Sequence, residues 1–105
     1  MVTEETLRAL ALSFPDTVEQ PHFEKTSFRT KKKIFATYAA LDKRVCLKLS
    51  EIDQSVFCSF DKSIVYPVPN KWGKQGWTLF ELTLIEKEML ADALATAYKE
   101  VTKKK

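Results

Sequence analysis

The sequence predicts an α+β fold in which an antiparallel β-sheet of about five strands is flanked by an N-terminal and a C-terminal helix, with a short helix in the middle. Three observations carry this. Apolar residues recur at three- and four-residue spacing at both ends of the chain: Leu7, Leu10, Ala11 and Phe14 near the start, Leu90, Leu94, Ala97, Tyr98 and Val101 near the end. From Lys25 onward, β-branched and aromatic residues alternate with polar ones in short runs. The polar breaks Lys31-Lys32 and Asp42-Lys43 are short enough to join neighbouring strands as hairpins.

Each element follows from its residues. A helix over about 3–13 is capped by Thr3 and favoured at its positive end by Glu4 and Glu5. Pro15 ends it, because the residue before a proline is pushed out of the helical region. Residues 16–24, with Pro21, read as a linking loop. Strands are expected at 26–30, 33–41 and 44–50. In the third, Val45, Leu47 and Leu49 alternate with Arg44, Cys46 and Lys48, so one face meets the core and the other is solvated and basic. Ile52, Val56 and Phe60 at four-residue spacing after the cap Ser50 predict a short helix over 51–60. Residues 64–68 form a strand that Pro67 and Pro69 confine to a sheet edge, and 77–83 alternate as the last strand. Thr83 with Glu86 fits a capping box opening the closing helix, and Lys103–Lys105 read as a frayed tail.

At 105 residues, 45% hydrophobic and 30% charged, the chain suits one domain over 1–105 with one core. It opens on acidic residues and has no apolar run near the roughly 20 residues of a membrane span, so the expectation is a cytoplasmic protein without a membrane partner. Cys46 and Cys58 are expected as free thiols. The formal +3 charge equals the contribution of the last three lysines, yet residues 25–74 hold 11 Lys/Arg against 4 Asp/Glu, between acidic flanks.

The two glycines of the chain fall in Trp72-Gly73-Lys74-Gln75-Gly76-Trp77, where the backbone must turn sharply or approach something closely. This segment is read as a hairpin tip, presenting Lys71, Lys74 and Trp72 to a ligand or simply turning, with Trp77 returning to the core. Lys31, Lys32 and Lys33, with Arg29 and Lys25, form a second candidate, either a phosphate-binding tip or a solvated turn. His22, the sole histidine, is read as structural and in a loop. It matches no metal-ligand rhythm with Glu24, Cys46 or Cys58, and no nucleophile system. Carboxylate pairs lie near helix starts, and no glycine-rich phosphate loop occurs. The expectation is therefore not an enzyme, with no catalytic residue, metal or cofactor.

A series of runs stands in order along the chain: Phe14-Pro15 with Glu19, Lys25-Thr26-Ser27-Phe28-Arg29 leading to Lys33-Ile34-Phe35-Ala36, and Val45-Cys46-Leu47-Lys48-Leu49. It continues through Tyr66-Pro67-Val68-Pro69-Asn70-Lys71-Trp72-Gly73-Lys74-Gln75-Gly76-Trp77-Thr78, Leu90 and Ala97-Tyr98. In these runs the chain resembles the MmcQ/YjbR family. The resemblance implies an antiparallel sheet with hairpin wings and a DNA-binding role of the double-wing type, and it implies no catalytic residue. The acidic flanking helices depart from the consistently basic surface that such a role suggests. The functional expectation is nucleic-acid binding through Arg29, Lys31, Lys32, Lys33, Lys71, Trp72 and Lys74. The alternative is a protein-interaction module, pairing with itself or another protein through the edge strand or the open sheet face.

Overall fold

A computed structural model of the chain describes residues 2–22 and 25–102. Helix α1 (Glu4–Leu12) begins at Thr3, whose hydroxyl accepts the Thr6 amide at 3.2 Å. The chain continues through β1 (Thr17–His22), β2 (Lys25–Thr30), β3 (Lys33–Ala39), β4 (Arg44–Lys48), α2 (Glu51–Cys58), β5 (Val65–Pro67), α3 (Lys71–Lys74), β6 (Trp77–Glu81) and α4 (Lys87–Thr102). The six strands form one sheet in the order β1-β2-β3-β4-β6-β5, every neighbouring pair antiparallel.

The expected linking loop over 16–24 is largely a strand. Residues of β1 pair with β2 from Thr17 opposite Thr30 to His22 opposite Lys25. Pro21 is tolerated because β1 is outermost and needs hydrogen bonds on one side only. Val18, Glu19, Gln20 and Pro21 are all exposed, so no apolar alternation marked the strand. His22 therefore ends a strand and does not lie in a loop. At the opposite edge is β5, as its prolines predicted.

Two further boundaries move. β3 stops at Ala39 and is joined to β4 by the four residues 40–43. The closing helix starts at Lys87, not at the Thr83 capping box: 82–84 form a turn in which the amides of Leu84 and Ile85 both donate to the Glu81 carbonyl. Leu82 and Ile85 are buried, so this segment packs as core before the helix begins.

Alternation along the strands separates two faces. Phe28, Phe35, Tyr38, Val45, Leu47 and Phe80 point to one side and bury against Leu7 and Ala11 of α1 and Leu90, Leu94 and Ala97 of α4. Phe14 stacks on Tyr98 at 4.9 Å, and the Phe35 ring meets both edge-on. The Pro15 carbonyl accepts from the Tyr98 hydroxyl at 2.9 Å, fixing the corner between α1 and β1. Phe35 reaches this cluster through a bulge: Phe28 pairs with Ala36 and Arg29 with Ile34, so Phe35 is the extra residue and turns inward beside Ala36.

Helix α2 packs on the same face near β5, its Phe57 ring 6.0 Å from Phe80. The apolar spacing that predicted this helix faces outward: Ile52 is 77% exposed, Val56 52% and Phe60 69%. The inward side carries Gln54, whose amide reaches backbone carbonyls across the sheet end. Among the described helices none covers the opposite face of the sheet, which is left to solvent.

Candidate functional site

The register of the strands writes out the residues of the open face. One row holds Ser27, Thr37, Cys46, Leu79 and Tyr66; the next holds Ala39, Arg44 and Glu81; a third holds Arg29 with Ile34, and Lys48 with Trp77. Together with residues before and within α3, this face forms a groove of about 600 Å³. Ile34, Trp77, Leu79, Val68 and Trp72 give it apolar walls, and Lys25, Arg44, Asp42, Asn70 and Thr37 supply polar groups. A volume of this order matches pockets that take small organic ligands. Trp77, expected in the core, belongs to this face because Thr78 and Phe80 take the inward positions of β6.

Arg44 is held flat on the sheet. Its Nε donates to a Glu81 carboxylate oxygen at 2.8 Å, and the Tyr66 hydroxyl donates to the same oxygen. Burial first, and this bond to Glu81 second, push the Tyr66 hydroxyl above its ordinary pKa. Cys46, on the floor, has its thiol pushed up to about 11, chiefly by burial and against the pull of Lys25 and a Thr37 hydrogen bond. It is a protonated thiol at neutral pH and a poor nucleophile. Both cysteines are free thiols.

The glycine segment is a single helical turn, not a hairpin tip. Asn70 caps α3, its side chain accepting the Trp72 amide at 2.8 Å. A Cβ on Gly73 would lie 2.0 Å from the Val68 carbonyl oxygen. One on Gly76, at φ +103°, would lie 1.8 Å from that of Leu49. Close backbone approach is thus the reason for both glycines. Gln54 Nε2 binds the Gly73 carbonyl at 2.9 Å, the Trp77 carbonyl at 3.2 Å and Thr78 Oγ1 at 3.1 Å, so α2 clamps this loop. Lys48 Nζ donates to the Gln75 carbonyl at 2.5 Å, holding it from the sheet side. Neither Gln54 nor Lys48 was picked out as a loop anchor, because their partners are backbone carbonyls with no sequence signature.

The predicted basic residues fall into three places. Lys31 and Lys32 form the two-residue turn of the β2–β3 hairpin, with Lys33 opening β3. Lys71, Trp72 and Lys74 lie on α3, just ahead of β6. Arg29 lies flat on the open face, its Nε on Ser27 Oγ at 3.0 Å, and does not reach the tip. Because β2 ends, β3 begins, β4 ends and β6 begins at the same end of an antiparallel sheet, the lysine turn, Lys48 and α3 share that end. The backbones of β3 and β6 are two strand spacings apart there, about 10 Å. Trp72 is 49% exposed. Among the described residues the ion pairs are Arg8 with Glu4, Arg8 with Glu19 and Arg44 with Glu81, and none involves these lysines. The acidic residues Glu4, Glu5 and Glu88 belong to the helices of the other face.

Comparison with known proteins agrees with this architecture. The crystal structure of Deinococcus radiodurans protein DR2400, described as a DUF419 domain, superposes with a TM-score of 0.85. The two share 23% identity, over 99% of this chain and 81% of that one. No curated protein matches the sequence. The family model of YjbR matches residues 12–100, and the chain belongs to the YjbR family.

Proposed function

We propose that the protein binds nucleic acid, laying a polyanionic backbone across the end of the sheet where the two lysine-bearing turns meet. The observation that supports this best is topological: Lys31, Lys32 and Lys33 on one side and Lys71 and Lys74 on the other flank the Lys48 ammonium at a single sheet end. Lys25 adds a positive charge on the open face, where Arg44 is paired with Glu81. The acidic helices lie behind the sheet, so the field in front of it is stronger than the small net charge suggests.

Such binding is dominated by counterion release and weakens steeply with salt, by about 0.9 in log–log slope for each phosphate neutralised on duplex DNA. Fluorescence anisotropy on labelled DNA at about 50 and 200 mM salt tests it. Lys71→Ala with Lys74→Ala is expected to lower the slope by about 2. Affinity that is absent at low salt, or indifferent to salt, would defeat the reading.

A second reading, self-association, is favoured by the exposed stripe of Ile52 and Val56 on α2 with Phe60 just past its end, beside the edge strand β5. Light scattering decides it: a concentration-dependent dimer abolished by Ile52→Lys supports it, and a strict monomer rules it out.

A further inference from the structure

We infer that the groove on the open face seats one unstacked base of a single nucleic-acid strand, with Trp72 as the stacking platform. The inference rests on the nucleic-acid reading above and specifies the form of the ligand. Three features of the groove lead to it.

The first is the pairing of flat apolar walls with polar groups of both signs. Trp72, Trp77 and Leu79 offer surface for a planar ring. Lys25 and Arg44 donate, Asp42 accepts and Asn70 does both. A simple carboxylate or acyl chain would leave Asp42 opposed or unused. A heterocycle with donors and acceptors on its edge can use both kinds: a base on Trp72 meets Asn70, while Lys25, Arg44 and Asp42 lie farther along the groove, four strand residues or more beyond Trp77, at the distance of a neighbouring nucleotide.

The second is rigidity. Trp72 stands on a turn held by the Asn70 cap, by the Gln54 amide on the Gly73 carbonyl and by Lys48 on the Gln75 carbonyl. A half-exposed aromatic ring on a backbone fixed in advance, with only two side-chain torsions to order, loses little freedom when a base stacks on it. The third is adjacency. The groove runs up to Ile34, next to the lysine turn, and to Trp72, which lies between Lys71 and Lys74. A base in the groove therefore leaves its phosphates at the basic sheet end. In a duplex the base faces are already stacked on their neighbours and are closed to Trp72.

The test uses the whole protein with a short labelled oligothymidylate and a duplex of equal length, at matched salt. Trp72→Ala and Trp72→Phe are compared with the parent after circular dichroism confirms their fold. The expected result is a preference for the single strand of at least about tenfold. Trp72→Ala should weaken single-strand binding by about 5- to 150-fold, as loss of a stacked base implies, and Trp72→Phe should retain most of it. Thymidine monophosphate should quench tryptophan fluorescence in the parent and less in Trp72→Ala. Salt-dependent binding that is equal on both DNA forms and unchanged in Trp72→Ala overturns this inference and leaves the polyanion reading standing. Absence of binding to either form at low salt overturns both.

Discussion

Replacing Lys31-Lys32 by Asn-Gly should make the protein more stable and a weaker ligand for DNA. The two residues join Thr30 to its partner Lys33, so they are the central pair of a two-residue hairpin loop, with φ of 50° and 71°. Positive φ at both positions is the geometry that matches the twist of the flanking strands and that Asn-Gly adopts most readily. An ordinary side chain in this conformation costs roughly 1–2 kcal/mol per residue. Glycine returns part of that through its larger entropy loss, about 0.5–1 kcal/mol. The net gain expected for Lys31→Asn with Lys32→Gly is therefore about 1–2 kcal/mol. Both lysines are exposed and in no ion pair among the described residues, so their removal forfeits no packing to offset that gain.

Urea denaturation measures the change, and at this chain length each kcal/mol should also raise the melting temperature by about 4–8 °C. Anisotropy on the same variant should show the salt slope reduced by about 2, one unit per lysine. Lys31→Ala with Lys32→Ala separates the two effects, since it keeps the strain and removes the charge: affinity should fall equally, with no gain in stability. An Asn-Gly variant no more stable than the parent would refute the strain argument. On the nucleic-acid reading proposed above, such strain would be kept for the charges the turn carries.

Three other outcomes follow from the packing. Gly76→Ala should destabilise by at least about 3 kcal/mol in urea melts, because a backbone carbonyl of Leu49 stands 1.8 Å from the new methyl and the φ of +103° is strained for alanine. Gln54→Ala should cost about 1 kcal/mol by the same assay and blunt Trp72-dependent binding, since the Gly73 and Trp77 carbonyls and Thr78 Oγ1 each lose the link to α2 while keeping a partner within the loop or sheet. Cys46 should make the fold alkali-sensitive. Its native pKa of about 11 exceeds the unfolded value near 9. The unfolded chain therefore loses its proton first, and stability present below pH 9 declines as pH rises toward 11, by roughly 2–3 kcal/mol. The pH dependence of urea midpoints should flatten over that window in Cys46→Ala.

The parts of the fold that were legible in the sequence are those whose burial is one-sided. Val45, Leu47 and Leu49 alternate because β4 has a core on one face and water on the other, and the closing helix shows its stripe for the same reason. β1 was not legible because both of its faces are largely exposed; it is held by backbone pairing, which leaves no side-chain pattern. Helix α2 was found for the wrong reason, its capping Ser50 being sound while the apolar stripe faces solvent. At the site, the lysines and Trp72 could be named from sequence, but their convergence depends on β6 pairing with β4, a contact between residues about thirty apart. The role of Trp77 was misjudged because the sequence shows alternation without saying which phase points inward.

A third lysine offers a control on the link between strain and binding. Lys43, at φ 52° in the loop between β3 and β4, has the same unfavourable backbone as the Lys31-Lys32 turn, and its carbonyl accepts the Leu82 amide at 3.0 Å. It lies at the far end of β3, whose seven residues separate the two turns by about 24 Å at the usual rise. That exceeds two screening lengths at physiological salt, where the Debye length is about 8 Å. Lys43→Gly should thus relieve strain, raising stability by up to about 1 kcal/mol in urea melts, while leaving the salt slope of DNA binding as it was. If removing this charge lowers the slope as much per residue as removing Lys31 and Lys32, the polyanion is not confined to the sheet end that carries α3. The contact must then extend over the whole open face, past Arg44 to the opposite turn.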